Sequence, residues 1–439
     1  MDRFFNPNSI AVIGASSEEK TVGNVVLKEL LKSGKKVFPV NPNRVMILDK
    51  FCYKSILSIE ENIDLAIFCV PAQIIPPLLE ETGKKGVKNV IIISAGFSEI
   101  GAVLLEERIL AISKEYGMRL LGPNCLGVLN PPNFNASFFE GNVKKGKIAF
   151  ISQSGALGVA MLDKFKKEEY GLSAFVSVGN MTDIDFSDLI SYFERDSNTK
   201  VICIYMEALK DGRKFMDSVL FAKKPIIVLK AGKGKIGQMA AGTHTGALAS
   251  DSRVYSGAFV QCGAIEVETL EEMFSLAKAI ECCDNLNQLN NGIIITNAGG
   301  PAVLLSDYLE KNNVNLIELS KTAVGRLSEF LPKAWSHNNP VDIIGDAKAE
   351  RYSQVFEMLK FEKFDFSVCV LTPQAMTEPR ETAKLFCDFV KKTKKPGFAL
   401  FMGGERIDDA KAIFDEFNVP CFESPEILAK TLYNIQKIE

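Results

Sequence analysis

One pattern, met three times, limits what this chain can fold into. Ile10–Ala11–Val12–Ile13 runs into Gly14–Ala15–Ser16, Ile148–Ala149–Phe150–Ile151 into Ser152–Gln153–Ser154–Gly155, and Ile293–Ile294–Ile295–Thr296 into Asn297–Ala298–Gly299–Gly300–Pro301. Each is a short apolar run, then small residues, then a helix-like pattern. Short continuous apolar runs suit parallel strands covered on both faces. Similar runs at residues 37–40, 65–70 and 90–93 alternate with amphipathic stretches such as 25–32 and 104–116. This alternation predicts doubly wound α/β domains. The repeat recurs about every 140 residues in a chain of 439, close to the usual size of one domain. Polar, turn-rich segments separate the repeats near 130–147 and near 283–292. The predicted domains are therefore 1–138, 145–285 and 290–439. Neither separating segment is a long flexible linker, so the domains are expected to pack together.

Composition removes several function classes. Net charge is −3, which gives no bulk pull toward nucleic acid or anionic membrane. No stretch approaches the roughly 20 apolar residues that span a bilayer, and the first residues reach Asn6–Pro7 before any long apolar run, so no secretory leader is expected. The ten cysteines include no Cys-x-x-Cys spacing, and Cys69, Cys203 and Cys369 sit inside apolar runs as small hydrophobes. With two histidines in the chain, a His/Cys metal site is not expected. The expectation is a cytoplasmic, reduced protein without a metal, a nucleic-acid partner or a membrane partner.

The first segment reads as a site for a nucleotide-like ligand. A small-residue turn after the first strand lets a ligand approach the backbone, and the next helix start offers free N–H groups to phosphate. The residues are Gly14–Ala15–Ser16 and then Thr21–Val22–Gly23–Asn24. An NAD site usually places Asp or Glu at the end of the second strand. This chain has Val40–Asn41–Pro42–Asn43 there, which disfavours a dehydrogenase. Further strand ends supply Val70–Pro71–Ala72, Ser94–Ala95–Gly96–Phe97 and Gly122–Pro123–Asn124–Cys125, at the edge where this fold class binds ligands.

The second segment carries a histidine in a phosphate setting. His244 lies in Ala240–Ala241–Gly242–Thr243–His244–Thr245–Gly246–Ala247. Small and hydroxyl residues there can cradle phosphate. Neutral imidazole can accept a phosphoryl group on one nitrogen while a carboxylate holds the other. Glu207, at the end of the apolar run 201–206, is the candidate for that hold. Ser152–Gln153–Ser154–Gly155–Ala156 opens a helix and offers a second anion-binding start.

Taken together, these residues resemble a known family. The series Gly14–Ala15–Ser16, Asn41–Pro42, Val70–Pro71–Ala72, Ser94–Ala95–Gly96–Phe97 and Gly122–Pro123–Asn124 resembles the CoA-binding domain of succinyl-CoA synthetase α subunits. It is still more similar to the α subunits of ADP-forming acetyl-CoA synthetases. The runs Tyr205–Met206–Glu207–Ala208–Leu209, Asp211–Gly212–Arg213, Lys230–Ala231–Gly232 and Thr243–His244–Thr245–Gly246–Ala247 resemble the phosphohistidine domain of the same family. The resemblance covers nearly all of the chain. It implies a Rossmann-like CoA-binding domain followed by two flavodoxin-like domains. It places the CoA nucleotide over Gly14 and beside Asn41–Pro42, with the pantetheine arm passing Val70–Pro71. Ala15, Ser16, Gly23, Ala72, Ser94, Ala95, Gly96, Phe97, Pro123 and Asn124 complete the implied CoA site. His244 becomes the phosphorylated residue and Glu207 its stabiliser. Ser152, Gln153, Ser154, Gly155 and Ala156 form one helix start facing the phosphate, and Asn297, Gly299 and Gly300 a second. Two departures stand: Thr243 occupies a place where the family often has serine, and residues 44–49 lack the glycine expected after the second strand.

The implied reaction is acyl-CoA + ADP + phosphate ⇌ carboxylic acid + CoA + ATP, through acyl phosphate and a phosphohistidine. No Gly-x-x-x-x-Gly-Lys-Ser/Thr motif occurs, and the ATP-grasp region of longer relatives is missing. CoA is thus expected as a substrate of this chain. ADP/ATP and Mg2+ are expected on a separate ATP-grasp β subunit, in an α2β2 assembly. The rival readings are a CoA-binding regulatory protein of the same fold that has lost catalysis, and an NAD(P)-binding dehydrogenase. Later runs at 339–342, 371–377 and 401–405 continue the resemblance without an implied role, and His337 reads as a loop residue, structural or exposed.

Overall fold

The computed structural model describes residues 1–168, 170–237, 252–283, 286 and 289–438. His244 and its neighbours lie outside the described residues. The chain divides into two compact units, Met1–Glu268 and Thr269–Glu439.

The first unit holds two larger sheets. After a short helix α1 (Asp2–Phe5), strands β1 (Ser9–Ile13), β2 (Lys36–Val40), β5 (Leu65–Phe68), β6 (Asn89–Ile92) and β7 (Arg119–Leu121) form a parallel sheet in the order β2-β1-β5-β6-β7. Every residue of β1 and β5 is buried, as continuous apolar runs require when helices cover both faces. Helices α2 (Val22–Leu31), α3 (Ile75–Lys84) and α4 (Val103–Tyr116) make the crossovers, and α4 ends on Gly117 in the left-handed conformation. A small hairpin, β3 (Met46–Ile47) with β4 (Lys50–Phe51), follows β2.

The second sheet has parallel strands β10 (Lys144–Ser152), β11 (Gly171–Ser177), β12 (Val201–Met206), β13 (Ile226–Lys230) and β14 (Ile265–Val267). Helices α5 (Gly155–Glu168), α6 (Phe186–Arg195) and α7 (Gly212–Leu220) and a helix at Ser252–Cys262 lie between them in sequence. The sheet also takes an antiparallel hairpin, β8 (Gly127–Asn130) with β9 (Phe134–Ser137), paired through Val176↔Val128 and Phe175↔Leu129. The second sheet therefore begins before residue 138, inside the first predicted domain. Two four-residue strands joined by a proline turn are too short for a clear period, so the segment reads as a turn-rich boundary. The first two sheets share one continuous core: Ile10, Val12, Leu65 and Ile67 cluster with Val128, Ala136, Ala149 and Ile151.

The second unit carries β15 (Asn291–Thr296), β16 (Asn315–Leu316), β17 (Val341–Asp342), β18 (Phe366–Leu371), β19 (Gly397–Phe401) and β20 (Cys421–Phe422). Helix Leu270–Cys282, placed in the second domain by sequence, belongs to this unit. Its Glu272 accepts a 2.6 Å hydrogen bond from Lys430 Nζ on helix Pro425–Ile435. No described helix is long and apolar enough to cross a membrane.

With the two-residue β17 set aside, all three parallel sheets, numbered within themselves, share the order 2-1-3-4-5. In such sheets ligands gather where the chain reverses direction, between the first strand and the third. Those switch points lie at β1/β5, β10/β12 and β15/β18.

Candidate active site

At the first switch point the turn after β1 is held open by glycine. Gly14 has φ +88, and a Cβ there would stand 2.6 Å from both Cys69 O and Val70 Cγ1. A Cβ on Gly23 would stand 2.1 Å from Gly14 O, so α2 rests directly on the turn. Two amides hold the turn's carbonyls: Asn41 Nδ2 donates to Ala15 O at 2.9 Å and Asn24 Nδ2 to Ser16 O at 3.0 Å. Asn41 thus occupies the strand end that an NAD-binding carboxylate would take, and it serves the backbone.

The turn after β6 is fixed by a polar network. Glu99 Oε1 accepts from Gly96 N at 2.5 Å and from Phe97 N at 3.2 Å. Asn180 Nδ2, from the second sheet's side, reaches Glu99 Oε2 at 2.7 Å and Glu106 Oε2 at 2.9 Å, and Thr182 Oγ1 donates to Glu106 Oε1 at 2.6 Å. Asn180 Oδ1 accepts from Asn124 Nδ2 at 3.2 Å. Burial pushes both carboxyls up, but these hydrogen bonds, with Lys210 beside Glu106, outweigh it and hold both below the ordinary carboxylate value.

A cavity of about 530 Å³ opens between the first and second switch points. Val70, Ser94, Ala95 and Asn124 line it from the first sheet, and Gln153, Gly155 and Ala156 from the start of α5. Ser154 caps that helix, its Oγ accepting from Leu157 N at 3.3 Å. The N–H groups of Gly155 and Ala156 have no partner within the helix and carry the positive end of its dipole. Phe138, Leu126 and Val159 add apolar lining. Cys69 and Cys125 also face it, and burial pushes each thiol up to about 12, with Cys125 adding to the effect at Cys69. Both are therefore neutral thiols near pH 7.

Glu207 stands just beyond β12, and side chains from three other elements clamp its turn. Gln153 Oε1 accepts from Glu207 N at 2.8 Å and Ala208 N at 3.0 Å. Lys230 Nζ, at the end of β13, donates to Glu207 O at 2.8 Å and Ala231 O at 2.5 Å. Tyr255 accepts from Leu209 N at 3.3 Å, and its ring lies 4.6 Å from Lys230 Nζ. Burial lowers the Lys230 pKa, and the Glu207 charge works against that shift. Burial and the same charge push the Tyr205 phenol up to about 12. The turn that presents Glu207 is therefore rigid and its carboxylate sits among groups that sense it.

The second unit contains its own switch-point turn. Asn297 is 1 % exposed, and both ends of its amide are used: Oδ1 accepts from Thr372 N, and Nδ2 donates to Thr372 O and Gln374 Oε1. Beside it, Asp342 Oδ2 lies 2.9 Å from where a Cβ on Gly299 would sit, while Gly300 is open. Asn339 supplies a missing piece of sheet. Strand β15 pairs with β16 at its start and β17 at its end, and between them Asn339 accepts from Ile294 N and donates to Gly292 O. These contacts account for the runs at 339–342 and 371–377.

Comparison with known proteins agrees with this geometry. Family models described as a CoA binding domain, a succinyl-CoA ligase like flavodoxin domain and a Ligase-CoA domain match residues 8–131, 145–280 and 292–414. The acetate–CoA ligase [ADP-forming] II subunit alpha of Pyrococcus furiosus is 41% identical over 444 residues, which cover 99% of this chain and 96% of that protein. The chain belongs to the ADP-forming acid–CoA ligases. Its place among them is that of an α subunit. The acetate–CoA ligase [ADP-forming] of Methanocaldococcus jannaschii is also 41% identical, and there the match covers 98% of this chain but 62% of a longer protein. The solved acetyl-coenzyme A synthetase 1 of Ca. Korarchaeum cryptofilum, in complex with phosphate and ADP, superposes with a TM-score of 0.93 at 34% identity, covering 100% of this chain and 96% of that one.

Within this ligase the residues singled out by sequence separate by role. Val70, Ser94, Ala95, Asn124, Gln153, Gly155 and Ala156 meet at one cavity. Gly14, Ser16, Asn41, Pro42, Pro71 and Gly96 stand on turns along the same sheet edge without lining it. Ala15, Gly23, Ala72, Phe97 and Pro123 are buried and shape the edge from within. Ser152 is 0 % exposed and its Oγ donates to Ser154 O. Asn297 uses both ends of its amide on neighbouring residues. His337 is an exposed loop residue with Nε2 3.1 Å from Lys333 O. Sequence reasoning missed Asn180, Glu99, Glu106, Tyr255 and Phe138. Asn180, Glu106 and Tyr255 act through partners far away in the chain, and Glu99 joins its own turn to the distant Asn180.

Proposed function

We propose that this ligase subunit catalyses reversible phosphoryl relay: acyl-CoA and phosphate give acyl phosphate and CoA, His244 takes the phosphoryl group, and ADP receives it. The clamped Glu207 turn beside a cavity shared with the α5 start carries this reading. A fixed carboxylate at that place can hold one imidazole nitrogen, set its tautomer and stabilise the ring's positive charge. The α5 N–H groups favour an anion at the same edge. CoA lies along the first sheet's edge, with its thioester end in the cavity.

The reading includes a separate ATP-grasp β subunit that holds ADP/ATP and Mg2+, in an α2β2 assembly. The naming of the Pyrococcus furiosus relative as a subunit, and the greater length of the Methanocaldococcus jannaschii ligase, support a second module. Acetate in the names of these relatives supports a small monocarboxylic acid as the acyl group. The test is phosphoryl labelling of the assembled enzyme. Labelled ATP is expected to leave an acid-labile, base-stable label on this chain, lost in His244→Ala and slower to form in Glu207→Gln. Undiminished label in His244→Ala overturns the assignment.

A further inference from the structure

Gln153 and Asn297 occupy matching places, each directly after the first strand of its sheet, with a side-chain amide reaching the end of the third strand. They differ in what is left over. Asn297 spends both ends of its amide on its neighbours. Gln153 spends one. Its Oε1 accepts from Glu207 N and Ala208 N, and two backbone donors on one atom settle which end is oxygen. Its Nε2 carries two N–H donors, for which no hydrogen-bond partner occurs among the described residues. Gln153 lines the cavity beside Gly155 and Ala156. A neutral donor locked from behind, on the lining of an open cleft, suits a developing oxyanion, because it needs no reorganisation when charge appears.

We propose that Gln153 is a catalytic residue, its Nε2 donating to the acyl oxygen while phosphate displaces CoA; the proposal rests on the acyl-phosphate reading above. In this step a phosphate oxygen forms a bond to the thioester carbon and the carbonyl π pair moves onto oxygen, to which the Nε2 N–H donates a hydrogen bond. The pair returns, the C–S bond breaks, and its electrons leave with sulfur. The proton of the hydrogenphosphate ends on the CoA thiolate. The balance is RCO–SCoA + HPO4²⁻ → RCO–OPO3²⁻ + CoA–SH. A neutral amide favours the oxyanion without gripping phosphate equally in the ground state, so its effect falls on turnover. The same side chain also braces Glu207, so one amide ties the acyl step to the relay step.

The test uses the assembled enzyme with its ATP-grasp partner. Gln153→Glu keeps an acceptor for Glu207 N and Ala208 N and replaces the donor end with oxygen. Gln153→Met keeps the length, adds no charge and lacks both functions. Acetyl phosphate formed from acetyl-CoA and phosphate is trapped with hydroxylamine, and labelling by ATP is followed separately. In Gln153→Glu, kcat for acetyl phosphate formation is expected to fall roughly 10²–10³-fold, with KM for acetyl-CoA nearly unchanged and ATP labelling reduced far less. Gln153→Met is expected to lose acetyl phosphate formation as well. Acetyl phosphate formation near wild type in either variant overturns the proposal. So does equal loss of both activities in Gln153→Glu, which would reduce Gln153 to a brace for Glu207. If the wild type is never labelled by ATP, the phosphohistidine reading fails while the hydroxylamine assay still judges Gln153.

Discussion

A methyl group at position 23 has nowhere to go. It would meet the Gly14 carbonyl oxygen at 2.1 Å, and that oxygen is backbone, in a turn already fixed by Asn41 and Asn24. Helix α2 must then lift away from the edge proposed to take CoA. Gly23→Ala is expected to destabilise the chain by about 1–3 kcal/mol and to weaken CoA binding, read by urea melts and by the CoA-induced rise in melting temperature. Gly212→Ala, at the start of α7 with open space around it, is the control. It is expected to be neutral or slightly stabilising. Equal loss in both variants would mean that the close approach of α2 to the turn does not matter. Small residues at the turn are legible in sequence, but which of them touches ligand and which touches backbone is not.

Among the elements, β15 shows how a side chain completes a sheet. Its neighbours β16 and β17 reach only its two ends, and Asn339 bridges the gap with one acceptor and one donor. Asn339→Ala leaves Ile294 N buried without that partner, while Gly292 O keeps its hydrogen bond from Ile317 N. The expected cost is about 1–3 kcal/mol, from one orphaned donor. A lowered urea midpoint at unchanged slope would report it, and an unchanged midpoint would mean that water replaces the amide. The Asn–Pro run was visible in sequence as a shared motif. Its role was not, because the hydrogen bonds it makes cross more than forty residues of chain.

Across the first unit, the network of Glu99, Glu106, Asn180 and Thr182 ties the edge of one sheet to the next. Both carboxyls are held below their ordinary value. A depressed native pKa contributes stability that is fully present above the unfolded value, about 4.3 for glutamate, and is lost as pH falls through the native values. Stability is therefore expected to decline as pH drops below about 4.3. Glu106→Gln is expected to lower stability near neutrality by about 2 kcal/mol and to flatten this acid limb, measured by urea midpoints between neutral and acid pH. An acid limb as steep as that of the wild type would remove Glu106 from the account.

Sequence alone determined the architecture and the family. Continuous apolar runs can be covered only from both faces, so three parallel sheets followed from local pattern. Small turns after the first strands, with Glu207 at the end of another, marked the edges where ligands gather. The tertiary structure decided what depends on residues far apart in the chain. It gave the hairpin β8–β9 to the second sheet and helix Leu270–Cys282 to the second unit. It set Gln153 and Asn297 apart, two amides in equivalent places, one with a donor left over and one with none. Local periodicity cannot make that distinction, because hydrogen-bond saturation is a property of the neighbours that folding brings together.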